Sequence, residues 1–247
     1  MSFGLSRGKE LDKGERGLRG EDLPPLPDDL LQNPEGAWID VREWFEDPSL
    51  PFELEIGSGK GTFLVQQAEQ SPGVNYLGIE WAREFWLYGA DRLRRRGLKN
   101  VILLNADASE FVRWRMPSGI ARVIHLYFPD PWPKSKHNRR RMVQDSFLEQ
   151  AQRILVDGGE LRVVTDHADY FAWMEEHFDR WSDTPEKPDS GRPFTRFEFE
   201  RPASAREGEI VGTNFERKYR VEGRPFNAAV LKKKAGEGTR DTADGIR

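Results

Sequence analysis

The stretch Glu55-Ile56-Gly57-Ser58-Gly59-Lys60-Gly61 closes an apolar run and opens a helical one. Glycines at such a junction allow a tight turn and let a ligand approach the backbone closely. The spacing is G-x-G-x-G, and Thr62 stands where a dinucleotide fingerprint would need its third glycine. No Gly-Lys-Ser/Thr follows, so a phosphate loop is not spelled either. An acid two positions before the first glycine suits a ligand with an ammonium group and no phosphate, which makes Glu55 the candidate partner of a cation. Glu80 ends the next apolar run, about twenty residues after the glycines, the distance at which an acid grips ribose hydroxyls. Asp107, in Asn105-Ala106-Asp107-Ala108, could accept a hydrogen bond from an adenine amino group. Singly, a glycine turn is often a plain connection and a strand-end acid often a helix cap. In order on consecutive strand ends they point to one ligand.

A second stretch runs Phe128-Pro129-Asp130-Pro131-Trp132-Pro133 and continues into Lys134, Lys136, His137, Asn138, Arg139, Arg140 and Arg141. Prolines on both sides of Asp130 fix the backbone and keep it out of helix, so the carboxylate is presented rigidly. Trp132 offers a flat surface on which a base could stack, and the basic run offers phosphate contacts. Three arginines at a helix start oppose the helix dipole, so stability alone explains them poorly.

The elements that must position these residues follow from apolar periodicity. Strands are predicted at Phe52–Ile56, Asn75–Glu80, Val101–Asn105, Arg122–Phe128 and Glu160–Thr165. Helices are predicted at Thr62–Gln70, Arg83–Arg96 (ended by Gly97), Arg139–Leu155 and Ala168–Trp181, with a short one after Asn105. Alternation of this kind gives βαβ units and a mostly parallel, doubly wound α/β sheet, with ligands at the carboxyl ends of its strands. Gly208–Arg220 and Phe226–Lys232 flank Gly223-Arg224-Pro225, which predicts an antiparallel hairpin at the sheet edge. Residues 1–37 read as a flexible arm with a few anchoring apolar residues (Leu23, Leu26, Leu30 and Leu31), 38–232 as the catalytic domain and 233–247 as a disordered tail.

Composition narrows the chemistry. In 247 residues there is no cysteine, which excludes disulfides, thiolate metal sites and a cysteine nucleophile. His125, His137, His167 and His177 show no metal-ligand spacing, so no metal is expected. Net charge is −4, yet the cations cluster at Arg92, Arg94, Arg95, Arg96 and Lys99 and again at 134–141. Local patches set the field that a phosphate backbone meets. No apolar run suits a membrane span or a signal peptide, so the chain reads as cytoplasmic with no membrane partner. Monomer and homodimer both stay open.

Amine, ribose and adenine together compose S-adenosylmethionine, and Phe52 to Thr165 is similar to the large Rossmann-like methyltransferase class that uses it. The Phe128–Arg141 block, with Glu55 to Gly61, Gly78 to Glu80 and Thr165-Asp166, resembles the tRNA (guanine-N7)-methyltransferase family over most of the chain between Phe52 and Lys232. The resemblance implies methyl transfer to N7 of a guanine in the variable loop of tRNA. It implies that Glu55, Gly57, Gly59, Glu80, Asp107 and Asp130 line the cofactor site, with Asp130 catalytic. It further implies that Lys134 and Asp166 bind substrate, and that Lys136, His137, Asn138, Arg139, Arg140 and Arg141 contact RNA. The family's guanine-binding Thr-x-Phe/Tyr-Glu element has two candidates here, Thr195 to Glu198 and Thr213-Asn214-Phe215-Glu216. The second leads into the terminal strand as the family's does, and requires an insertion around Asp189 to Gly208. On this reading Asp130 and Glu216 hold the guanine edge. The alternatives are another RNA atom, including an exocyclic amine, a protein or small-molecule acceptor, or an RNA-binding protein without catalysis. A nicotinamide dehydrogenase is disfavoured by the glycine spacing.

Overall fold

The computed structural model describes residues 10–189 and 191–236. In chain order the strands are β1 (Gly17–Arg19), β2 (Phe52–Ile56), β3 (Asn75–Glu80), β4 (Val101–Asn105), β5 (Ala121–Tyr127), β6 (Leu155–Thr165), β7 (Ser182–Asp183), β8 (Phe194–Phe197) and β9 (Asn227–Lys233). The α-helices are α1 (Thr62–Gln70), α2 (Arg83–Arg96), α3 (Ala108–Trp114), α4 (Asp145–Ile154), α5 (Ala168–Trp181) and α6 (Asn214–Val221). The strands form one sheet in the order β1-β4-β3-β2-β5-β6-β9-β8-β7. Pairing is parallel except where β9 runs antiparallel between β6 and β8. The order reverses between β2 and β5, which opens a crevice above their carboxyl ends.

Strand β2 shows how one pattern serves two layers. Phe52, Leu54 and Ile56 point into a core shared with α3, α4 and α5. Glu53 and Glu55 take the alternate positions, and both are buried as well. Alternation of apolar and acidic residues normally marks a half-solvated strand. Here the second face is covered by α1 and α2, whose Phe63, Leu64, Trp86 and Leu93 form the other core cluster. Helix α2 buries Trp86, Gly89, Ala90 and Leu93, the i, i+3, i+4, i+7 stripe of a packed helix. Gly89 lets the helix approach closely: a Cβ there would stand 2.6 Å from Leu103 Cδ1, which would have to shift, and 3.4 Å from the Lys60 carbonyl carbon. The helix therefore lies close against the glycine turn.

Two expectations are corrected by the structure. The stretch before Gly223 is no hairpin strand: Asn214–Val221 is helical, started by Thr213, whose Oγ1 accepts from the Glu216 N–H at 3.0 Å. Thr-x-x-Glu is a capping signature, and β9 finds its partners in β6 and β8 instead. The helix expected from Arg139 begins only at Asp145; Ser135–Arg140 is a 3-10 turn, and 141–144 is extended or bent. The described part of the amino-terminal arm is built into the fold. β1 pairs with β4, Leu18 and Leu23 pack against the core, and Arg115 Nη2 donates to the Pro24 carbonyl at 2.6 Å. Residues 1–9 and 237–247 of the expected arm and tail lie outside the described residues.

Candidate active site at the strand ends

Two adjoining cavities, of about 380 and about 300 Å³, open above the carboxyl ends of β2 to β5. Gly57, Gly59, Phe85, Tyr127 and Phe215 line both. The glycine turn is shaped by left-handed residues, with φ of 76° at Gly57 and 54° at Gly59, and by Gly57 and Ser58 N–H groups donating to the Ile79 carbonyl. Glu55 ends the pattern from below and lines the smaller cavity. Its Oε2 is buried and has no hydrogen-bond partner. Burial, and then the neighbouring Glu80 carboxylate, push the Glu55 carboxyl well above its ordinary value. A buried polar atom without a partner is costly, and a cation supplied by a ligand is the group that would satisfy it.

Glu80 sits at the end of β3, where Oε2 accepts from Gly59 N–H and Oε1 from Ala82 N–H, each at 2.7 Å. Burial raises its carboxyl against these amides, and the charge of Asp130 adds to the rise. Asp107 caps α3 through Oδ1 alone, which accepts from Ser109 N–H at 2.8 Å and Glu110 N–H at 3.1 Å. Glu80, Asp107 and Asp130 all line the larger cavity. Such a wall repels a pyrophosphate and suits a cationic ligand with hydroxyl and amino groups. S-adenosylmethionine fits it on both counts. Among the described residues, no cluster of three His, Asp or Glu side chains could hold a metal ion.

Asp130 is presented by a strained turn. Phe128 has φ 54° and Trp132 φ 42°, left-handed conformations that cost a non-glycine residue about 1–3 kcal/mol each. The Phe128 N–H still donates to the Val164 carbonyl at 2.7 Å, and its ring packs on Tyr219 and Phe226. Below the cavities runs a buried polar chain that sequence reasoning missed. Glu53 Oε2 bonds His125 Nε2, and His125 Nδ1 bonds the Tyr127 hydroxyl, both at 2.8 Å. Burial pushes the Glu53 carboxyl up, but His125 and Arg122 overcome it and leave it below its usual value. Trp81, 73% exposed at the rim of the larger cavity, was also missed; its position directly after Glu80 is the signal that could have found it.

The expected substrate residues divide. Thr213, Asn214 and Phe215 line the smaller cavity, and Asn214 Nδ2 donates to Thr62 Oγ1 at 2.8 Å. Glu216, expected at the guanine edge, is wholly buried and clasps a loop. Its carboxylate accepts from the N–H groups of Ile210, Val211 and Gly212 and from Arg220. Thr195 lies in β8 opposite Lys232, away from both cavities. Asp166 lines neither cavity; Oδ2 pairs with Arg224 at 2.7 Å, and Arg224 stacks over Tyr219. Lys134 is exposed and also outside the lining.

The two basic clusters differ. Arg94 and Arg95 pair with Asp91, Arg96 with Glu69 and Lys99 with Glu46, while Arg92 donates to Thr62. In the second, among the described residues, no carboxylate pairs with Lys134, Lys136, Arg139, Arg140 or Arg141. His137 and Asn138 are half-buried, and His137 meets Trp132 edge-on. Arg140 stacks over Trp132 at 4.9 Å and lines the larger cavity. Arg141 departs from its neighbours: it is only 6% exposed.

Comparison with known proteins gives the family and the fold. Residues 49–209 match the family model Methyltransf_4, described as "Putative methyltransferase". A tRNA (guanine-N(7)-)-methyltransferase of Rhodopseudomonas palustris is 37% identical over 181 residues, covering 73% of this chain and 71% of that protein. One of Streptococcus thermophilus is 31% identical over 203 residues, covering 82% and 90%. Among solved structures, the aminoglycoside resistance methyltransferase NpmB1 superposes with a TM-score of 0.51 at 16% identity, covering 87% of this chain and 98% of that one, a likeness of fold.

Proposed function

The chain belongs to the tRNA (guanine-N(7)-)-methyltransferase family, and from that premise we propose that it methylates N7 of a guanine in the variable loop of tRNA. S-adenosylmethionine supplies the reactive methyl group as an electrophile on a sulfonium. In this reading Glu55 holds the ammonium of its amino-acid end, Gly57 and Gly59 lie along its backbone, Glu80 takes the ribose hydroxyls and Asp107 the adenine amino group. Asp130 stands at the rim where donor and base meet.

Guanine N7 carries a lone pair and no proton, so the chain needs no strong general base. It has to hold N7 in line with the methyl group at near-attack distance. Asp130 accepts from the guanine edge and stabilises the positive charge that grows on the base as N7 is alkylated. Thr213, Asn214 and Phe215 frame the base from α6, with Lys134 and the Asp166–Arg224 pair at the margin. Lys136, Arg139 and Arg140 take phosphates.

The observation that carries the reading is Asp130 itself: an exposed carboxylate on a turn flanked by two left-handed residues, in the wall of an acidic cleft and close in sequence to cations that have no carboxylate pair among the described residues. The test is transfer of labelled methyl to unmodified tRNA, followed by strand cleavage selective for 7-methylguanosine. Label with cleavage at one guanine of the variable loop is expected. Label without cleavage moves the target to another atom, and absence of label on RNA refutes the reading. Asp130→Asn, which keeps the shape and removes the charge, is expected to lose turnover while still binding tRNA; unchanged turnover would refute its role.

A further inference from the structure

We propose that Arg141 is a positioning residue that clamps the turn carrying Asp130, and that it makes no contact with RNA. This rests on the tRNA methylation reading above. In the run Arg139-Arg140-Arg141 the first two side chains are exposed and the third is buried. Its Nε donates to the Pro131 carbonyl, next to Asp130, at 2.9 Å. Its guanidinium lies 5.0 Å from the ring of Tyr170 and 5.3 Å from that of Trp173, both on α5.

Those rings are themselves tied to the chain just beyond Arg141. The Val143 N–H donates to the Tyr170 hydroxyl at 3.2 Å, and Trp173 Nε1 donates to the Val143 carbonyl at 2.8 Å. Gln144 Nε2 donates to the Arg141 carbonyl at 2.6 Å. A planar, charged fork is thus held by α5 and holds Pro131 in turn. The turn needs an outside hold, because Phe128 and Trp132 keep left-handed conformations that their own side chains disfavour. A lysine cannot replace the fork: it lacks the Nε–H and the flat face.

That difference makes the test. Arg141→Lys keeps the positive charge, so a phosphate contact would survive it and a clamp would not. The expected result is a kcat lower by on the order of 10²-fold. KM for tRNA and the salt dependence of tRNA binding stay near the wild-type values. Arg139→Ala, by contrast, is expected to lower the salt slope by about 0.7–0.9, one phosphate contact. Wild-type kcat in Arg141→Lys, or an Arg141→Ala slope reduced like that of Arg139→Ala, overturns the proposal. Should Arg141→Lys fail to fold, Trp173→Phe removes the bond to Val143 and is expected to lower kcat with KM for tRNA unchanged. Unaltered kcat there overturns the clamp. Amide exchange over residues 128–132, read without any substrate, is expected to speed up in Arg141→Lys and not in Arg139→Ala. If wild-type protein methylated no tRNA, the functional reading would fall while the exchange result still decided the clamp.

Discussion

Glu55→Gln tests the cofactor site most directly, because the carboxylate is buried, unpartnered at Oε2 and raised in pKa by burial and by Glu80. In the ligand-free protein a raised carboxyl means that the folded state binds more protons than the unfolded chain between the ordinary and the raised value. Stability therefore falls as pH rises through that window, and above it Glu55 costs the empty protein stability. Glutamine keeps a polar group there but cannot ionise, so it removes the cost of a buried charge that wild type bears above the raised value. For a domain of this size each kcal/mol moves the melting temperature by about 2–4 °C. The empty Glu55→Gln protein should thus melt higher than wild type at pH above the raised value, and the difference should shrink as pH falls. Its affinity for S-adenosylmethionine should fall, since a hydrogen bond to a charged group is worth about 1.5–3 kcal/mol, roughly 10- to 150-fold in Kd. Wild-type affinity should also rise with pH below the raised value, by up to about tenfold per pH unit, because binding the ammonium must expel the Glu55 proton. Calorimetry in buffers of different ionisation heat reads that proton, and thermal melts read the stability. A variant that binds S-adenosylmethionine with wild-type affinity, or with the same proton release, would refute the reasoning.

Glu216→Gln should act in the opposite sense on stability. Burial raises its carboxyl, but Arg220 and the amides of 210–212 overcome this and leave it below its ordinary value. The stability it contributes is present above the unfolded value and lost as pH falls through the folded one. The variant should melt several degrees lower near neutral pH, and a melt equal to wild type would sink the clasp. Paired substitutions separate the two basic clusters: Arg139→Ala with Arg140→Ala should cut the salt slope of tRNA binding by close to two phosphate contacts. Arg95→Ala with Arg96→Ala should leave it nearly unchanged, because Asp91 and Glu69 already hold those arginines. Binding isotherms over a salt series decide, and equal slopes for the two doubles would contradict the assignment.

Strands β2, β3 and β4 were legible because each ends in a local signal, the glycine turn after Ile56 or the acids at Glu80 and Asp107. What failed was non-local. β1 is a strand only because β4 offers it an edge, and nothing within residues 17–19 announces that. Arg139, Arg140 and Arg141 are equivalent in sequence; the Tyr170 and Trp173 rings single out the last. The pairing of Arg96 and Lys99 depends on Glu69 and Glu46, carboxylates of other segments. Thr213-Asn214-Phe215-Glu216 was legible only as a guanine-binding element. In the fold Thr213 caps α6, the Glu216 carboxylate turns back onto the amides of 210–212, and Thr213, Asn214 and Phe215 face the cavity.

The distribution of charge explains how a chain of net charge −4 can serve a polyanion. The cofactor brings positive charge and the RNA negative charge, and they must meet within bonding distance. One averaged field would repel one of them. The structure separates the two fields: Glu55, Glu80, Asp107 and Asp130 line the cleft, while Lys134, Lys136 and Arg139 are exposed outside its lining, with Arg140 at its edge over Trp132, and none of the four has a carboxylate pair among the described residues. Screening in salt limits exposed charges to about 8–10 Å, so the lip can draw a phosphate without emptying the cleft of its cation. Neutralising the Arg94–Lys99 cluster through Asp91, Glu69 and Glu46 removes a competing patch on α2 and the loop after it. Asp130 lies on the boundary between the fields. A displacement there moves the carboxylate toward one charge or the other, which is why the strained turn and the Arg141 clamp matter more to turnover than to binding.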